Sequence, residues 1–390
     1  MTTRMLTALT IAAIFQAPFV QAADKVKVGF ITTLSGPQAA PGIEARDGFN
    51  LALKLNGGKL GGLPAEILMQ DDQINPEAGK QIADRLVKRE RVDFLTGIIY
   101  SNVMLAVGPV AFDAKTYYIS NNAGPSQYAG EGCNPYFFAA SWQNDVIHEA
   151  PGKFAFDRGF KNVYLLAANY PAGRDAMAGF KRFYTLKPTD EVYTKLGQLD
   201  YAAEIAQIRS MKPEAVYFFL PGGMGVNFIK QFVAAGLSKD VTLIATGATS
   251  DEDLIKATGD STIGLFNASH WSADLDNAAN RKFVAAFEKE YGRLPTAYAS
   301  QAYDTALMID AAVRDVKGKI EDKDAVGRAL RAARFQSVRG DFKLGNNHYP
   351  IQNYYLRVIG KDSKGRVTNK TIGTVLTNHG DSFAKLCKMK

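Results

Sequence analysis

The feature that most constrains this chain is its repeated alternation of short apolar runs with amphipathic segments. Residues 26–31 alternate and then turn wholly apolar, as a strand buried on both faces does. Leu34-Ser35-Gly36-Pro37 breaks that run. A helix is expected over 42–56, with Ile43, Phe49, Leu51, Leu53 and Leu55 as its apolar residues, ended by Gly57-Gly58 and Gly61-Gly62. A second strand is expected over 66–70. Asn75-Pro76-Glu77 then reads as an N-cap, a proline at the first helical position and an acidic first turn. Ala78, Ile82 and Leu86 supply that helix's apolar stripe. Further strands are expected over 92–96, 117–120, 163–168, 191–196, 215–220, 241–246 and 262–268, and helices over 203–211, 224–235, 277–291 and 298–316. Strands this apolar, alternating with helices, predict an α/β fold of parallel sheets covered on both faces.

At 390 residues the chain is too long for one ordinary core and suits two domains. No low-complexity linker divides it, so several crossovers with a cleft between the domains are expected. Its 23 Phe and 17 Tyr supply the apolar area to offset chain entropy, which excludes disorder as the main state. The net charge of +7 is dispersed. The cluster at 328–334 reads as a solvated helix face and the basic tail at 385–390 is small, so no nucleic-acid partner is expected.

The first 22 residues read as a secretory signal peptide. Arg4 gives a positive start, 6–19 is mostly apolar but too short to span a bilayer, and Val20-Gln21-Ala22 resembles a cleavage site. The chain is therefore expected to be exported and cleaved near Ala22. In an oxidising compartment its two cysteines, Cys133 and Cys387, are expected to pair, the alternative being two buried free thiols.

Motifs for chemistry are few. There is no phosphate loop, no His-Glu-x-x-His and no Gly-x-Ser-x-Gly. Gly222-Gly223-Met224-Gly225 follows a strand but lacks dinucleotide-binding spacing. His148, His270, His348 and His379 are not spaced with cysteines or carboxylates as metal ligands are. No metal, cofactor or enzymatic activity is expected. The strand-to-helix turns stand out instead: Ser35-Gly36, Tyr100-Ser101-Asn102 and Asn121-Asn122-Ala123-Gly124 carry small polar residues where open α/β sheets bind ligands. Ser and Asn at such places commonly cap helices, and free N–H groups at a helix start also favour a carboxylate.

Together these segments resemble a known family. "VKVGFITTLSGP" with "NGGKLGG" looks like the start of the branched-chain-amino-acid-type periplasmic binding proteins, the type I solute-binding proteins of ABC importers. "DFLTGIIYSNVMLAV" and "YYISNNAGPS" resemble that family's two ligand turns, "NYPAGRDAMAGFKRF" its second-domain segment, and "PTAYASQAYDTALMI" a late first-domain helix. The resemblance covers essentially the whole chain after residue 22. It implies two Rossmann-like lobes joined by three crossovers: 23–141 with 271–341, and 142–270 with 342–390. It also implies a monomer that delivers a small molecule to a membrane permease without catalysis.

By the same resemblance, Ser101 and Asn102 hold a ligand carboxylate through hydroxyl and backbone N–H groups, and Ala123 and Gly124 form the second such turn. Ser35, Asn122 and Pro221 complete the expected polar and turn contacts, and Tyr100, Tyr170 and Trp271 the aromatic ones. Two positions depart from the amino-acid binders. Ala172 stands where they place an aromatic residue, and Gly247 near where they place the carboxylate that pairs with the ligand ammonium. Asp251, Glu252 and Asp253, just beyond, read as the acidic first turn of a helix. These departures predict an aromatic carboxylic acid as ligand. A branched-chain or other apolar amino acid, or urea, is the alternative; a periplasmic sensor role and an exported hydrolase are the competing functions.

Overall fold

The computed structural model describes residues 23–389, so the signal-peptide reading of 1–22 lies outside it. The first sheet contains β1 (Val26–Thr32), β2 (Lys59–Leu60), β3 (Leu63–Asp71), β4 (Phe94–Thr96), β5 (Tyr117–Ser120) and β6 (Phe137–Ala139), in the spatial order β2-β3-β1-β4-β5-β6. The second contains β7 (Val163–Ala168), β8 (Asp190–Thr194), β9 (Ala215–Phe219), β10 (Thr242–Thr246), β11 (Phe266–Ser269), β12 (Lys343–Leu344), β13 (Pro350–Lys361) and β14 (Val367–His379). Its order is β12-β13-β11-β10-β9-β7-β8, with β14 paired to β13. The helices are α1 (Ala40–Leu55), α2 (Pro76–Lys88), α3 (Ser101–Asp113), α4 (Val146–Asp157), α5 (Pro171–Phe183), α6 (Ala202–Met211), α7 (Gly223–Ala234), α8 (Glu252–Thr258), α9 (Ala278–Tyr291), α10 (Ala297–Asp315) and α11 (Lys323–Ala332).

Local chemistry explains the boundaries. The Asn75 side chain accepts from the N–H groups of Glu77 and Ala78, with Pro76 at the first helical position. Asn277, Thr296 and Asp322 cap α9, α10 and α11 in the same way. β1, β3, β4, β5 and β6 pair in parallel, as do β7 to β11; apart from β3 and β8, which are half-buried, these strands are nearly all buried. Helices α1 and α10 pack together over the first sheet and α4 and α5 over the second.

Three differences from the sequence reading have physical reasons. The strand expected over 262–268 begins only at Phe266, because 259–262 forms a 3-10 turn and Gly264 turns the chain at φ 92°. The sheets are parallel only in their centres. β13 and β14 form a long antiparallel hairpin on the second sheet, turned at Asp362-Ser363-Lys364-Gly365, where the Asp362 carboxylate accepts from two backbone N–H groups. Finally, the tail assigned to the second lobe leaves it after β14. Cys387 is bonded to Cys133, and Phe383 and Leu386 lie against Gly130, beside the first sheet.

The chain passes between the sheets at 140–145, 270–277 and 333–342. The two lobes are closed on each other. Gly223 N–H donates to the Pro37 carbonyl at 3.2 Å, and Tyr298 Oη donates to the Ala248 carbonyl at 2.5 Å. A Cβ at Gly223 would stand 2.6 Å from the Pro37 oxygen. The glycine run after β9 therefore serves close approach of the lobes.

Candidate ligand-binding cleft

The cleft is built where the strands of both sheets end. Past β4 the chain turns at Gly97, whose φ is 108° and whose Cβ would lie 2.5 Å from the Ile31 oxygen. Asn121 and Tyr118 pin this turn: Gly97 N–H donates to Asn121 Oδ1 at 2.9 Å and Ile98 N–H to Tyr118 Oη at 3.1 Å. Extended Tyr100 then precedes α3 and makes no side-chain capping bond, so Ser101 opens the helix rather than capping it. Ser101 Oγ accepts from Asn144 Nδ2 at 3.1 Å, which leaves its own proton free. A hydroxyl donor at an uncapped helix start is suited to an anion.

The second lobe supplies the facing wall. Tyr170 precedes α5, Phe219 ends β9 and Pro221 leads into α7. Trp142, Asn144, Ile147 and His148 enter from the first crossover and the start of α4. Ala172, Ala248 and Tyr298 close a narrow cavity, which in this closed form has a free volume of about 20 Å³. The Tyr170 and Phe219 rings lie 6.2 Å apart at 11°, and Tyr100 meets Tyr170 at 6.2 Å. Tyr100 Oη donates to the Gln38 carbonyl at 3.1 Å, so its ring is held in place.

Among the described residues, no Asp, Glu, Lys or Arg lines this cavity. Burial raises the Tyr100 and Tyr170 hydroxyl pKa values far above the ordinary range, so both stay neutral. Burial pushes His148 down to about 3, so it too is uncharged. A ligand charge must therefore be met by hydrogen bonds and helix ends, and an ammonium would be buried without a counter-charge.

Of the expected residues, the fold brings Tyr100, Ser101, Asn122, Tyr170 and Pro221 together at the cavity. Asn122 Nδ2 donates to the Ile99 carbonyl at 2.7 Å while its Oδ1 has no partner. The remaining residues lie elsewhere. Ser35 is exposed on the loop before α1. The Asn102 amide donates to the Ile74 carbonyl at 3.3 Å, toward α2. Ala123 N–H is taken by the Ile98 carbonyl at 3.3 Å and Gly124 N–H by Asn144 Oδ1 at 3.0 Å, so this turn has no spare donors there. Gly247 has no room for a side chain, since a Cβ would stand 2.9 Å from Nη2 of the buried Arg357. Trp271 is turned into the first lobe, with Nε1 donating to Asn280 Oδ1 at 2.7 Å and its ring against Phe283. Trp142 occupies the cleft instead. The polar run Ser141-Trp142-Gln143-Asn144-Asp145 after a short strand was the signal for Trp142 and Asn144. Ile147, His148, Phe219 and Tyr298 sit in ordinary apolar patterns and carried none.

Comparison with known proteins adds three findings. The family model described as periplasmic binding protein matches residues 25–365. The chain is 29% identical over 377 residues to Leu/Ile/Val-binding protein homolog 6 of Brucella melitensis, covering 94% of this chain and 96% of that protein. Two solved structures are similar over almost the whole described chain. One is an ABC-transporter solute-binding protein from R. palustris in complex with benzoate, with TM-score 0.88, 31% identity and coverage of 93% of this chain and 99% of that one. The other is a solute-binding protein from Rhodopseudomonas palustris BisB5 in complex with 3,4-dihydroxybenzoic acid, with TM-score 0.85, 30% identity and coverage of 92% and 99%.

Proposed function

The chain belongs to the periplasmic binding protein family, and on that premise we propose that it captures a small aromatic carboxylate between its lobes and delivers it to the permease of an ABC importer. The observation that carries the ligand class is the cavity wall: aromatic rings and neutral polar groups, with no charged side chain. The carboxylate lies against the Ser101 hydroxyl and the start of α3. The ring lies among Tyr100, Tyr170 and Phe219, where stacking adds roughly 0.5–1.5 kcal/mol beyond area burial. The benzoate and dihydroxybenzoate held by the two similar solute-binding proteins support this class.

Capture involves no covalent step. The ligand touches both lobes only when they are closed, so binding shifts the open–closed equilibrium toward the closed form that the permease meets. The protein acts as an exported monomer, its leader removed near Ala22, with lobes divided at the three passages between the sheets. The name of the Brucella relative favours a second reading, an apolar amino acid; the missing partner for an ammonium weighs against it.

A thermal-shift panel tests the proposal, because ligands of the native state raise the melting temperature. Benzoate and 4-hydroxybenzoate should raise it while leucine, valine and urea leave it unchanged. The reverse pattern overturns the aromatic reading.

A further inference from the structure

We propose that His148 reads an oxygen substituent on the ligand ring at the end of the cavity away from Ser101, which makes para-oxygenated aromatic acids the preferred ligands. The inference rests on the aromatic-acid reading above. A row of ring contacts runs from Tyr100 through Tyr170 and Phe219 to His148, whose ring meets Phe219 edge-on at 4.6 Å. In the proposed pose the carboxylate is held at Ser101 and the ring lies along this row, with its far end at His148.

The chemistry at that end is defined by Tyr217. His148 Nδ1 is hydrogen-bonded to the Tyr217 hydroxyl, and both side chains are buried. A buried hydroxyl is almost always paired, and Nδ1 is the one acceptor that the Tyr217 hydroxyl has. Tyr217 therefore donates to Nδ1, and the ring proton sits on Nε2. Among the described residues Nε2 has no partner, and His148 lines the cavity. An N–H donor is thus presented to the ligand. Burial keeps the imidazole neutral, so it offers a hydrogen bond without a counter-charge. That suits a hydroxyl or ether oxygen, while the carboxylate has the helix start at the other end. A ligand without the oxygen leaves the donor buried and unpaired, a loss of roughly tenfold or more in affinity.

Calorimetry on the wild-type protein with 4-hydroxybenzoate and the near-isosteric 4-methylbenzoate tests this. The hydroxy acid should bind at least roughly tenfold more tightly. In the double variant H148F/Y217F, which removes donor and partner together, the ratio should fall to about one. A wild-type ratio of one or below, or a ratio unchanged in a folded double variant, overturns the inference. If the double variant does not fold, the wild-type ratio decides alone. A wild type that takes neither acid overturns the aromatic-acid reading, and this inference with it.

Discussion

Ser101 and Asp175, one on each lobe, share a single side-chain amide. Asn144 Nδ2 donates to Ser101 Oγ at 3.1 Å and to Asp175 Oδ2 at 2.9 Å. Asp175, on α5, also accepts from Ser126 of the first lobe, through N–H at 3.2 Å and Oγ at 2.7 Å. The hydroxyl proposed to hold the ligand and the contact that latches the lobes are thus one network.

Asp175→Ala should consequently weaken ligand binding although Asp175 does not line the cavity. Three hydrogen bonds lose their acceptor, and a loss on the order of tenfold or more is expected. Calorimetry reads the affinity and small-angle scattering the closure. An affinity within twofold of wild type, with full ligand-induced compaction, would show that the latch is incidental.

Ser101→Ala and Asn102→Ala should separate. The Ser101 bond to a carboxylate is charge-assisted and contributes roughly 1.5–3 kcal/mol, so its loss costs about tenfold or more. The Asn102 amide points at the Ile74 carbonyl, and its removal should change affinity by less than about threefold. Equal losses from the two substitutions would contradict the geometry.

The lobe interface should also respond to pH. Asp253 of α8 is pushed up to about 7, by burial first and then by repulsion from Glu44 and Asp251. Glu44 sits on α1 of the first lobe and lines the same interlobe groove, so closure itself raises this pKa. The closed form then holds a proton that the open form releases. Closure, and ligand affinity with it, should strengthen as pH falls from 8 to 6 and weaken as pH rises through about 7. Asp253→Asn should flatten that dependence; an equally steep profile in the variant would assign it to another group.

Cys133 and Cys387 lie 254 residues apart in sequence and are bonded. Intact-mass measurement after alkylation of the unreduced, denatured protein should find no free thiol. Replacing both with Ser should lower stability by about 2–4 kcal/mol, seen as a lower melting temperature. Two alkylated thiols in the unreduced protein would refute the bond.

Much of the fold was legible because strands buried on both faces must be apolar; 117–120 and 163–168 read directly as β5 and β7. Asn75-Pro76 announced α2 through chemistry that acts within one turn. The hairpin of β13 and β14 was harder to see, since its half-exposed strands mix polar with apolar residues. At the cleft, sequence located the turns but not the direction of their side chains. Trp142 and Trp271 both follow strands into crossovers, and only packing decides that Trp142 faces the cavity while Trp271 is spent on Asn280 and Phe283. Ser101 and Asn102 are neighbours, yet one helical step of about 100° sends their side chains to different partners. Asn144 and His148 owe their roles to partners 31 and 69 residues away, Asp175 and Tyr217.

The most direct test of the central claim is calorimetric titration of the ligand-free protein with benzoate and, under the same conditions, with L-leucine. The ring-lined, charge-free cavity predicts one benzoate bound per chain and no measurable heat from leucine. Tight leucine binding with no response to benzoate would contradict it.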